Sequence, residues 1–208
     1  MTAVFVTIMI VVANVMGAGM AYPQASKLIR TGNTRGVSGV WAGVSLTMNI
    51  WWLAYGLAND LWGLVPVSGV AAVLYVAIIV AYLRSAGRSA AGGVLLGAFV
   101  LGMVPAPFLA VGGWAVAGLA IGLCYGMQLV PAVAAACRTR ELHGVAPSTW
   151  IMAWVEAVIW VGYGLYVVDS ALLAGGVSGA ILTSVILGRL MATGHEPFRI
   201  RRPARAMA

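Results

Sequence analysis

The side chains of this sequence best suited to bind a polar molecule stand inside apolar stretches: Asn14, Asn49, Trp52, Ser68, Glu156, Trp160 and Ser178. A polar group in such a setting costs free energy unless it faces a cavity or a partner, so each marks a candidate binding position. Glu156 precedes Trp160 by four residues, which sets both on one helix face, and Asn49 and Trp52 stand at i, i+3. Two opposed indole faces would clamp a planar or ring-shaped solute, and the amide, hydroxyl and carboxyl groups would replace part of its hydration shell. Glu156 would bind a cation, carry a proton, or stay protonated and bonded to a neighbouring helix. Plain packing is the competing role for the tryptophans, and helix–helix adhesion for Asn49.

Other chemistries find no residues to perform them. His143 and His195 fall outside the apolar stretches, and no Cys, His or carboxylate cluster has metal-ligand spacing. There is no Gly-rich phosphate loop and no nucleophile–base set, so neither an enzyme, a metal nor a cofactor is expected. Cys124 and Cys137, the only cysteines, lie within or at the end of one apolar stretch and cannot frame a disulfide scaffold.

The elements that must position these groups follow from composition. The chain has 208 residues, of which 62% are hydrophobic and 8% charged. That leaves too little polar surface to cover a soluble globule and too few polar residues for disorder. An integral membrane protein is expected. Charge-free runs of about 20 residues suit helices that cross a ~30 Å hydrocarbon core. The predicted spans are 3–22, 38–57, 62–83, 90–110, 114–136, 147–167 and 170–190, with a break near Pro105, Pro107, Gly112 and Gly113 dividing the long run between Arg88 and Arg138. The first span lacks the basic flank of a cleaved signal, so it is read as a helix.

With seven spans, all twelve Lys and Arg residues fall on one side, and the opposite loops hold only Asp60 and Asp169. This predicts an inner (plasma) membrane protein with its N-terminus outside and its C-terminus in the cytoplasm. The net charge of +7 thus marks a membrane face. The basic tail, 193–208, is expected to meet anionic lipid, with no nucleic-acid partner.

The chain also repeats. At an offset of 108 residues Pro23 meets Pro131, Arg30 meets Arg138, Gly36-Val37 meets Gly144-Val145, Trp52 meets Trp160, and Tyr55-Gly56-Leu57 meets Tyr163-Gly164-Leu165. A shift of two more residues pairs Val67-Ser68-Gly69 with Val177-Ser178-Gly179. The expected fold is therefore all-α, seven transmembrane helices as 3+1+3. Residues 1–85 and 113–192 form two parallel three-helix bundles, and the linker helix within 86–112 restores their common orientation. Glycines at small-xxx-small spacing, Gly93 and Gly97, then Gly118, Gly122 and Gly126, are expected to serve close packing.

Pro23-Gln24 with Gly36 and Trp52-x-x-Tyr55-Gly56, and again Pro131 with Gly144 and Trp160-x-x-Tyr163-Gly164, resembles the PQ-loop pattern of the SWEET and semiSWEET transporters. The resemblance covers about residues 5–83 and 113–190; Ala132 replaces the second Gln. It implies facilitated transport of a sugar by alternating access, with Trp52 and Trp160 matching the family's tryptophan pair and Asn14 at a pocket position of the first helix. The family's asparagine pair is replaced by Ser68 and Ser178, and the prolines of the second helix in each unit by Trp41 and Thr149. Pro23, Gln24 and Pro131 are candidates for an inner gate. Tyr55 with Asp60, and Tyr163 with Asp169, are candidates for an outer one. Glu156 occupies a pocket position that is uncharged in the sugar carriers, which leaves two alternatives: a proton-coupled carrier of an amino acid or cationic metabolite, and a non-transporting receptor on the same scaffold. The expected partners are a small-molecule solute and the lipid bilayer, with homo-oligomerisation left open.

Overall fold

A computed structural model of the chain describes residues 2–32, 34, 37–138 and 147–194; Arg35, Gly36, residues 139–146 with His143, residues from 195 on with His195, and the side chains of Pro23, Gln24 and Pro131 lie outside the described set. The described chain is helical: α1 (Thr2–Thr31), α2 (Gly39–Ala58), α3 (Val65–Ala86), α4 (Ala91–Leu95), α5 (Pro105–Met127), α6 (Val130–Arg138), α7 (Pro147–Val167) and α8 (Ser170–Ala192). Five stretches are long and apolar enough to cross a membrane: Ala3–Tyr22, Val65–Ala86, Arg88–Arg138, Thr149–Val167 and Ser170–Ala192. Arg88–Arg138, at 51 residues, has more than twice the length one crossing needs. The 20-residue α2 has the length too but carries Ser45, Thr47 and Asn49.

Helix ends obey local chemistry. Ser38 caps α2 by accepting from the Trp41 amide. Gly32 and Gly87, at φ +60° and +85°, release the chain from α1 and α3. The expected break in the long run is realised in two places. Pro105 opens α5, where its missing N–H leaves nothing unpaired. Gly113, another of the expected break residues, interrupts α5 with a φ of 62° and ψ of −160°. Ahead of it, α4 passes into a π-helical turn, Leu96–Leu101, closed by the Gly102 amide bonding the Gly97 carbonyl.

The two matched prolines behave differently from each other. Helix α1 runs past Pro23 to Thr31, nine residues beyond the predicted end of the first span. In the second unit the helix stops at Met127, four residues before Pro131, and restarts as α6, since a proline offers no amide to the carbonyl one turn back.

Packing fixes the relative directions. Helices α1 and α2 both lie against α3, and α5 and α7 against α8. The fourth stretch crosses beside α2, where a Cβ on Gly43 would strike the Val94 carbonyl and one on Gly97 the Val40 carbonyl, so these backbones touch. Gly122 similarly meets the Ala171 carbonyl on α8. Contacts of α1 with α7 run from Gly17 at Glu156 to Met9 at Gly162, which makes the two antiparallel.

As a result the ends of α1, α3, α6 and α8 lie together. Gly32 meets Ser85, and the Arg189 guanidinium donates to the Ala136 carbonyl at 3.2 Å. Arg30, Arg84, Arg138 and Arg189 gather at that end, and Asp60 and Asp169 at the other. Turns at the acidic end repeat at the same offset as the sequence. Asp60 and Val168 both adopt φ 56°, and the next amides, Leu61 and Asp169, bond back to Gly56 and Gly164 at 2.8 and 2.9 Å.

Candidate functional site

A cavity lies where α2, α3, α5, α7 and α8 converge, with an empty volume of about 480 Å³ that includes its open mouth. Its walls come in pairs. Asn49 and Ala157, Trp52 and Trp160, Leu64 and Leu172, Val67 and Gly175, Ser68 and Gly176 all line it, and every pair is separated by 108 residues. Glu156 and Tyr125 complete the lining; their equivalents at that offset are Met48 and Gly17. Five of the seven expected binding residues, Asn49, Trp52, Ser68, Glu156 and Trp160, therefore meet around one space.

The aromatic side chains are braced alike in the two halves. Trp52 packs edge-on against Tyr55 at 6.0 Å and 83°, and Trp160 against Tyr163 at 5.9 Å and 65°. Trp160 donates its indole N–H to Glu156 Oε1 at 3.3 Å, the i, i+4 contact expected from their spacing. Glu156 is 5% exposed, and its Oε2 has no hydrogen-bond partner. Room for the carboxyl comes from Gly17 on α1: a Cβ there would lie 2.8 Å from Oε1 and 2.6 Å from Val67. Gly175 gives the same kind of access to Trp52, whose ring edge would stand 3.3 Å from an added Cβ. Asn49 donates to the Ser45 carbonyl one turn back, at 2.8 Å.

Two expected binding residues sit elsewhere. Ser178 turns its hydroxyl to the Ala174 and Gly175 carbonyls of its own helix, at 2.6 and 3.1 Å, and packs on Gly126. Ser68 shares the cavity wall with Gly176, 108 residues on, and Ser178 is not part of it. Asn14 donates to the Ile10 and Gly63 carbonyls at 2.8 and 3.0 Å, tying α1 to the turn between α2 and α3.

The acidic end is closed by bonds between the halves, though not the bonds expected. The Tyr55 hydroxyl donates to Asp169 Oδ2 at 2.6 Å, while Asp169 Oδ1 caps α8 through the Leu172 amide. Asp60, the anticipated partner of Tyr55, is exposed in its left-handed turn. Tyr163 meets Gly63 across the halves. Tyr55 also packs against Trp114 and Gly118 of α5. Among the described residues two apolar clusters lie toward the basic end: Ala25, Leu28, Ala42 and Ile78, and Ala136, Ile186, Leu187 and Leu190.

Tyr125, Leu64, Val67, Ala157, Leu172, Gly175 and Gly176 are not singled out by the sequence. Tyr125 carries a signal, since it stands three residues after Gly122 and seven after Gly118, on the glycine face that turns inward. The apolar members carry none except their offset from residues already suspected. No protein-family model matches the chain, and no curated protein matches it either.

Proposed function

We propose that this protein is a membrane transporter that moves a small polar solute, a mono- or disaccharide in the first instance, by alternating access without an energy-coupling domain. Residues 1–85 and 113–192 act as two parallel three-helix units, and the fourth stretch is the extra crossing that aligns them. The basic end faces the cytoplasm of the inner membrane and the acidic end the outside.

The observation that carries this reading is the central cavity walled by equivalent positions of two repeats. Such a site changes access when one repeat rocks against the other. Bonds from Tyr55 to Asp169 and between Tyr163 and Gly63 join the two repeats at the acidic end, which fits a state closed on that side. Indole faces with an amide, two hydroxyls and a carboxyl suit a ring that carries hydroxyl groups.

Purified protein in liposomes tests the reading. Saturable uptake of labelled glucose or sucrose is expected, reduced at least about tenfold by Trp52→Ala or Trp160→Ala, since burying an aromatic face contributes about 1.5 kcal/mol or more. Uptake no faster than in empty liposomes would reject it. Glu156 favours a second reading, a carrier of a cationic metabolite; lysine uptake with no sugar uptake would select that one.

A further inference from the structure

One group in the cavity does more than a passive sugar site requires. Glu156 is buried in the wall, and its two oxygens are in different situations. Oε1 accepts the Trp160 indole N–H, and Oε2 accepts nothing. A proton can therefore occupy Oε2 or leave it without breaking any bond that positions the side chain.

The surroundings offer no fixed counter-charge. No Lys, Arg or His lines the cavity among the described residues. Helix α1 presents Gly17 to the carboxyl, and α8 presents Gly175 and Gly176 to the cavity, its charged residues Asp169 and Arg189 standing at opposite ends. The titratable neighbours are Tyr125 of α5, in the same wall, and Tyr75 of α3, which is bonded to Ser45 of α2. Neither hydroxyl offers the carboxyl a counter-charge.

We infer that Glu156 binds and releases one proton in each transport cycle, so that the solute crosses together with a proton. The inference rests on the transport reading and adds its energy source. The carboxylate takes a proton from water on the side to which the cavity is open, and the resulting O–H donates to a solute hydroxyl. After the halves rock, the solute leaves and the proton passes to water on the other side, which restores the carboxylate. No covalent bond of the solute changes. One neutral solute and one proton cross, carrying a single positive charge.

The test uses full-length protein in liposomes with a pH-sensitive dye inside, labelled glucose as the probe, and the membrane potential held at zero. Glucose flowing inward should acidify the lumen. An imposed gradient of about one pH unit, acid outside, should concentrate glucose about tenfold inside at one proton per molecule. Glu156→Gln should abolish both the acidification of the lumen and the concentration of glucose. Glucose entry with no pH response in the wild type overturns the coupling and leaves the transporter standing. Absence of any glucose entry removes the transport reading and the coupling with it. The wild-type dye trace decides the matter even where the Gln variant fails to fold.

Discussion

The difference between Ser68 and Ser178 shows how much turns on which way one hydroxyl points. Ser68 lines the cavity, and Ser178 spends its hydrogen on its own helix. Ser68→Ala should weaken solute affinity about two- to tenfold, the worth of one hydrogen bond, as half-saturation in an uptake assay would show. Ser178→Ala should leave it within about twofold. Gly17 should be less forgiving still. A Cβ at that position would crowd both Val67 and Glu156, so Gly17→Val should cost about 1–3 kcal/mol, read as a lower unfolding temperature in detergent, and should slow uptake. Much of the site is legible in the amino-acid sequence: the tryptophans, Asn49, Ser68 and Glu156 are marked by being polar or amphipathic where everything around them is apolar. The apolar half of the wall is not, because Leu64 or Ala157 looks like any lipid-facing residue until its neighbours are known.

Helices are easier to read than their punctuation. Uninterrupted apolar runs dictate helices wherever a backbone must satisfy itself in hydrocarbon. Their ends depend on single residues with more than one outcome. Pro23 lies within a continuous helix, while the helix ahead of Pro131 stops one turn early. The turns at the acidic end make the same point. Asp tolerates the left-handed backbone at position 60, but Val168 holds φ 56° with a branched Cβ, so Val168→Gly should gain about 1–2 kcal/mol, checked by thermal unfolding. That turn also presents Asp169 to Tyr55. Tyr55→Phe removes a charge-assisted bond of about 1.5 kcal/mol between the halves, and the outward-open population should rise about tenfold. The measurement is labelling of Ser68→Cys by an impermeant thiol reagent added outside, in a background with Cys124 and Cys137 replaced by Ala.

Across the whole molecule, the described residues Arg30, Arg84, Arg138 and Arg189 stand at one end and Asp60 and Asp169 at the other, as the charge order along the sequence predicts. A cysteine at Asp60 should react with an impermeant reagent in intact cells, and one at Arg84 only after the membrane is opened. The five wall pairs are legible through the 108-residue offset, yet the seat of the cavity is not, since no single sequence says which helix faces turn toward each other. The rocking of one repeat against the other proposed above has a consequence for the solvent. A crevice that is wet at one end must shed water as its lips meet, and it must bury apolar surface as it does so. Solutes too large to enter withdraw that water and favour the state holding less of it. Osmotic pressure applied from the side of the basic end is therefore expected to shift the equilibrium of the proposed transporter with neither substrate nor mutation.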